Sequence, residues 1–201
     1  MVANPRQPWL SVEEYFELEK QRPDMRYEYI DGEVRAFAGG TIDHGRIALN
    51  IAKWLDDRLQ HPCHVHTSDI KVRLNASRYT YPDVHVSCEE SDWQGRLEAL
   101  RAPKLIVEVL SPGTEAYDRG RKFLYYQELA SIREYVLVNW QRQLVEVYRR
   151  ENGKWIYQRY APGEQIELAS LALELPMSVI YASTTVPLKE VPQGWETFPD
   201  L

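Results

Sequence analysis

The chain is poor in cysteine: Cys63 and Cys88 are the only two among 201 residues. Two are too few for a disulfide framework, and a reducing, cytoplasmic setting is expected. Long apolar runs are missing as well. No stretch approaches the roughly 18 to 20 consecutive apolar residues that cross a bilayer, and no cationic segment leads into an apolar one as in a signal peptide. The ten glycines form no phosphate-cradling loop, and no nucleophile elbow accompanies a Ser-His-Asp order, so neither an organic cofactor nor serine hydrolase chemistry is indicated. Positive charge is not in excess either. The 24 Lys and Arg against 30 Asp and Glu give a net charge of -6 and a pI near 5.5, which argues against coating nucleic acid or an anionic membrane through global charge.

What is present is enough apolar surface for a core: 44% hydrophobic residues, with six Trp and thirteen Tyr, excludes wholesale disorder. The length predicts one domain over residues 1–182, followed by an acidic tail over 183–201 whose three prolines predict an extended chain. Charge is uneven along the chain. Only residues 101–159 are basic, with eleven Lys and Arg against seven Asp and Glu.

Ser11-Val12-Glu13-Glu14 reads as a capping box that starts a helix running to about Gln21. Tyr27–Ile30 and Glu33–Phe37 flank Asp31-Gly32, a pair suited to a type I′ hairpin. From Ile42 to Leu59, apolar residues at mostly helical spacing predict the longest helix of the first half, ended before Pro62. His64–Thr67, Ile70–Leu74 and Tyr79–Val86 alternate as half-buried strands. Leu105–Leu110 is apolar except for Glu108, the pattern of a central strand buried on both faces. A helix over Tyr117–Leu129 and a strand over Glu134–Val138 then suggest a parallel crossover. Leu144–Arg149, Trp155–Tyr160 and Gln165–Leu168 read as a meander, and Leu171–Ile180 as a short amphipathic helix. The expected class is α/β (α+β), a mixed central sheet flanked by helices.

Glu108 needs a reason. An ionised carboxylate inside an apolar strand costs several kcal/mol without a cation or hydrogen bonds beside it. A structural ion pair with a core Arg, or a protonated Glu, would answer equally well. A second acid lies in Tyr81-Pro82-Asp83-Val84-His85, where period two puts Tyr81, Asp83 and His85 on one face, and where Pro82 places an edge or a bulge. Asp118, Lys122 and Tyr126 share a helix face that can look back at Glu108, although an i,i+4 Asp-Lys pair is ordinarily a solvated contact. Two carboxylates on neighbouring strands plus a lysine are what Mg²⁺-dependent phosphodiester cleavage requires: hard oxygen ligands for the metal and an ammonium beside the attacking water. His61, Cys63, His64 and His66 superficially suggest zinc, but Cys63 points away from the face shared by His64 and His66, and no second pair stands at a familiar spacing.

Taken in order, Tyr27-Glu28-Tyr29-Ile30-Asp31-Gly32-Glu33-Val34, the His44 helix, Tyr81-Pro82-Asp83-Val84, residues 106–114, Asp118 with Lys122 and Tyr126, and residues 133–138 resemble the Uma-type restriction-endonuclease-like family of the PD-(D/E)XK nuclease superfamily. The resemblance covers roughly residues 10–181. It implies a restriction-endonuclease-like core and a Mg²⁺ (or Mn²⁺) ion held by Asp83, Glu108 and the backbone carbonyl of Val109. The superfamily pattern places Lys two residues after the second acid, where this chain has Leu110. The resemblance implies that Lys122, from the following helix, takes that role. Glu28 matches an early acidic position of the family. His44 is open to orienting a phosphate or capping a helix, and Tyr126 to holding Lys122 or packing.

The expectation is therefore a Mg²⁺-dependent DNA endonuclease with Asp83, Glu108 and Lys122 as its catalytic set and phosphate contacts from the basic segment, notably Arg119 and Arg121. A homodimer would present two sites to two strands. The alternative is a non-catalytic nucleic-acid-binding or regulatory module that keeps the fold, and RNA is an alternative substrate.

Overall fold

The computed structural model describes residues 9–36, 40–94 and 97–188. The first helix, α1 (Val12–Gln21), starts as its capping box dictates: the Ser11 amide donates to Glu14 at 2.7 Å and the Glu14 amide to the Ser11 hydroxyl at 3.2 Å. The hairpin β1 (Tyr27–Ile30) and β2 (Glu33–Ala36) turns on Asp31 and Gly32, both at positive φ (49° and 98°) as a type I′ turn requires. Phe37, expected at the end of β2, lies outside the described residues. Helix α2 (Ile42–Asp56) is capped by the Thr41 side chain. It ends earlier than its apolar spacing predicts, because Leu59 reaches the core from the turn that follows.

Three predicted elements are corrected. The single strand over 79–86 is two, β5 (Arg78–Thr80) and β6 (Val84–Ser87), which belong to different sheets. Pro82 has no N–H to donate, and the chain crosses between sheets at Tyr81-Pro82-Asp83, so these residues do not present the one continuous face that period two implied. The predicted helix over 171–180 is the strand β12 (Leu173–Pro176) followed by one turn, α5 (Met177–Ile180). Alternating leucines pair β12 with β11 (Gln165–Leu168), so β11 leaves the expected meander for a sheet of two strands. The third correction concerns the cysteines. β3 (His64–Thr67) pairs with β6 so that His64 faces Ser87, which brings Cys63 against Cys88, and the two are joined in a disulfide. Spacing along the chain cannot show this; strand register does. The bridge also removes Cys63 from any zinc site.

The central sheet has six strands in the order β10-β9-β8-β7-β6-β3, built from β7 (Pro103–Val109), β8 (Glu134–Val138), β9 (Val145–Glu151) and β10 (Lys154–Tyr160) besides β3 and β6. Only β7 and β8 are parallel, and the sheet is mixed. A second sheet, β2-β1-β5-β4, includes β4 (Val72–Asn75). One face of the central sheet presents Val84, Val86, Val107, Val109, Val136 and Val138 to Ile47, Ile51 and Leu55 of α2. The opposite face presents Ile106, Leu110, Tyr135 and Leu137 to Tyr126 and Ile132, and to Val72 and Leu74 of β4. Period two places Glu108 on this second face, between Ile106 and Leu110.

The helix expected over 117–129 is built in three parts: α3 (Glu115–Tyr117), a π turn (Asp118–Lys122) and α4 (Phe123–Glu128). A π turn displaces the backbone ladder by one residue. The buried Tyr135 hydroxyl donates to the Asp118 carbonyl at 3.0 Å within it. Residues 183–188 carry no regular structure but stay attached, for Val186 is buried in the first core and the Thr185 amide donates to Asp43 at 3.2 Å. Among the described residues no helix is long and apolar enough to cross a membrane.

Candidate active site

The C-terminal end of β7 stops beside the start of β6. Val84 pairs with Val107, and continuing that antiparallel register by one residue sets Asp83 beside Glu108. Asp83 is fixed there because its Oδ2 accepts the Val109 amide at 2.7 Å. Both acids line one cavity of about 510 Å³, within the range of small-molecule sites, together with Glu28 from β1, His44 from α2, and Asp118 and Lys122 from the π turn. Six positions singled out in the sequence, distant along the chain, thus share a cleft, and the Val109 backbone borders it as well.

Lys122 is the hub. Its ammonium lies 2.9 Å from Glu28 Oε1, 2.9 Å from Glu108 Oε1 and 3.6 Å from Asp118 Oδ1. All four side chains are buried, at 3 to 6% exposure. Burial pushes the Glu108 carboxyl well above the usual glutamate range against the pull of Lys122, and the charges of Asp118, Asp83 and Glu28 push the same way. Asp118 is raised for the same leading reason. Burial disfavours charge on Lys122 too, but Glu108 and Glu28 outweigh it and hold the ammonium well above the ordinary lysine value.

Tyr126 stands behind the cleft rather than in it. Its hydroxyl donates to Glu108 Oε1 at 2.9 Å and meets the Thr80 hydroxyl at 3.2 Å, which fixes the carboxylate from the core side. His44 approaches from the opposite wall, with Nε2 3.4 Å from Asp83 Oδ2. Burial lowers its pKa, yet Asp83 and the Val109 backbone more than compensate and the net shift is upward. Gly40 permits this approach, since a Cβ there would sit 2.6 Å from the His44 ring.

Two expected phosphate contacts are placed elsewhere. Arg119 is held by Glu115 at 2.7 Å and by Glu146 at 2.5 Å, so its guanidinium is engaged on the helix and on β9. Arg121 is exposed and outside the cleft lining. Conversely, Arg35 and Tyr117 line the cleft and were not singled out. Arg35 was legible in principle, because in the I′ hairpin it is the register partner of Glu28.

The donor set suits a hard divalent cation. Four carboxylates, Glu28, Asp83, Glu108 and Asp118, face one lysine, leaving negative charge that a single ammonium does not cancel. As positioned, with Lys122 among them, no three metal-ligating side chains converge at ligand spacing among the described residues. Asp83, Glu108 and Val109, the residues that the resemblance names for a cation, all border the cleft.

Residues 12–179 match a protein family, Uma2, whose description reads "Putative restriction endonuclease". Two uncharacterized proteins of Synechocystis sp. are relatives: slr1290, 35% identical over 87% of this chain and 92% of its own length, and sll1609, 29% identical over 79% and 91%. A crystal structure from Anabaena variabilis, titled a putative nuclease belonging to DUF820, superposes with a TM-score of 0.69 at 18% identity, covering 86% of this chain and 97% of that one, which establishes a shared fold. With the match spanning nearly all of the described residues, the chain belongs to the Uma2 family, and its mixed sheet with flanking helices is a restriction-endonuclease-like fold.

Proposed function

We propose that this cleft hydrolyses phosphodiester bonds of DNA with the help of Mg²⁺ or Mn²⁺, within a single domain over residues 1–182. One observation carries the reading: Asp83 and Glu108 stand side by side at the ends of β6 and β7, in one cleft, with Lys122 arriving from the next helix at 2.9 Å. A divalent ion bound there would neutralise the scissile phosphate and acidify a water molecule. Lys122 keeps its proton in this setting and so acts as a fixed positive charge that orients the attacking water and opposes the charge developing on phosphorus. Glu28 and Asp118 hold Lys122 in place, and Tyr126 fixes the Glu108 carboxylate. Asp83 is aligned by the Val109 amide on one side and His44 on the other.

A second reading, a binding or regulatory module that retains the fold, is favoured by one feature: Glu108 is only 3% exposed and already paired with Lys122. Incubating the protein with supercoiled duplex, single-stranded DNA and RNA in Mg²⁺ or Mn²⁺ separates the two. We expect cleavage by the wild type and a loss of about 10³-fold or more in Asp83→Ala, Glu108→Ala and Lys122→Ala. Cleavage that survives in Glu108→Ala would mean a contaminant or a different site, Mn²⁺ binding heat that ignores Asp83→Ala would count against metal binding there, and a wild type that binds nucleic acid without cleaving it would favour the second reading.

A further inference from the structure

The cleft that is suited to a cation is badly suited to the substrate: four carboxylates face a polyanion. Some positive group must meet the nucleic-acid backbone, and the lining contains three cationic residues, Arg35, His44 and Lys122. Lys122 is engaged by three acids and His44 by Asp83. Arg35 is engaged by none of the cleft acids. Among the described residues its one ion pair is with Glu33 at 3.4 Å, both side chains half-exposed and Glu33 not part of the cleft lining, a contact of the kind that contributes little.

Arg35 is also held ready. Its guanidinium lies over the Tyr117 ring, 4.5 Å from the centroid. With its central carbon over the ring, the guanidinium keeps N–H donors at its edges for phosphate oxygens, one of them shared with Glu33 at 3.4 Å. Tyr117 makes its contribution through the ring: its hydroxyl is buried and has no hydrogen-bond partner among the described residues. The register of the hairpin, Glu28 opposite Arg35, ties this cation to the strand that supplies one of the Lys122 contacts.

We infer that Arg35, stacked on Tyr117, is the phosphate grip of the cleft, receiving a backbone phosphodiester of nucleic acid, with Tyr117 as its positioning residue. This rests on the nuclease reading above and names the contact by which that site would hold its substrate. The test is anisotropy of a fluorescein-labelled duplex oligonucleotide in Ca²⁺ over a range of salt, for the wild type, Arg35→Ala, Arg35→Lys, Tyr117→Ala and Tyr117→Phe, beside cleavage in Mg²⁺.

Arg35→Ala is expected to weaken binding about tenfold and to lower the salt slope by about one. Arg35→Lys should keep the slope but not the full affinity, since a lysine lacks the fork. Tyr117→Ala should approach the affinity of Arg35→Ala, Tyr117→Phe should restore it, and a variant that combines Arg35→Ala with Tyr117→Ala should be no weaker than Arg35→Ala alone. These effects should fall on Kd and KM more than on kcat, and Arg35→Ala and Tyr117→Phe should melt close to the wild type. Wild-type affinity and slope in Arg35→Ala, or a Tyr117→Phe as weak as Tyr117→Ala, overturns the grip. If the wild type cleaves and Glu108→Ala does not, that failure belongs to the grip alone. A wild type that neither binds nor cleaves nucleic acid overturns both.

Discussion

Glu108 and Glu134 stand on neighbouring parallel strands, β7 and β8, at opposite ends of the pair, and both are buried, at 3% and 0% exposure. Glu134 is surrounded by donors. Its Oε1 accepts from Arg149 at 3.0 Å and from the Ala169 amide at 2.9 Å, and its Oε2 from the Ser170 amide at 3.1 Å and the Ser170 hydroxyl. Glu108 has Tyr126 and Lys122, both on Oε1, and otherwise acids: Glu28, Asp83 and Asp118. Burial alone therefore does not mark a functional carboxylate. What distinguishes the two is the company: donors that complete one charge, and like charges that leave the other needing a cation.

The largest contrast should come from removing the structural carboxylate. Glu134→Ala leaves two backbone amides and the Ser170 hydroxyl without their acceptor, while Arg149 keeps Glu151 and Glu167, and a loss of about 3 kcal/mol is expected in urea melts. Any remaining folded protein should cleave as the wild type does; selective loss of activity without loss of stability would erase the distinction. Next, Lys122→Met leaves Glu28 and Glu108 without their shared cation. In EDTA it should cost about 2 kcal/mol, and excess Mg²⁺ should restore part of that stability by binding the folded state. A variant whose melting is indifferent to Mg²⁺ would show that the acids do not hold the ion.

The smallest effect is the most diagnostic. Because the folded-state carboxyl of Glu108 is raised, between its unfolded and folded pKa the folded chain retains a proton that the unfolded chain releases. Its ionised form is a burden that is full above the folded pKa and is relieved as pH falls through it toward the ordinary value. Glu108→Gln should therefore be about 1 kcal/mol more stable than the wild type in mildly alkaline buffer, and the gap should close on acidification. A gap that widens as pH falls would contradict the account.

Much of this was legible in the sequence because it is local. The capping box of α1, the Asp31-Gly32 turn, the β7-crossover-β8 unit and the oddity of Glu108 each depend on a few adjacent residues. The errors are where local pattern met tertiary pairing. Leu171, Leu173 and Leu175 suit a helix or a strand, and the partnership with β11 decides for the strand. The phosphate contacts expected of Arg119 and Arg121 are a different matter: the sequence shows their charge, and the structure adds that Glu115 and Glu146 engage Arg119 and that both residues lie outside the cleft lining. Arg35 is marked by pairing: the hairpin register sets it opposite Glu28, and only the tertiary structure lays it over Tyr117.

By itself, the order of residues determined most of the elements and the presence of a charge where an apolar side chain belongs, since both follow from short-range sterics, hydrogen bonding and burial. Only the tertiary structure decided which acids face one another, which cations are already engaged and which cysteines meet. Those depend on the register between strands and on the turn that aims Lys122, and Coulomb energies change steeply over the few ångströms that such packing sets.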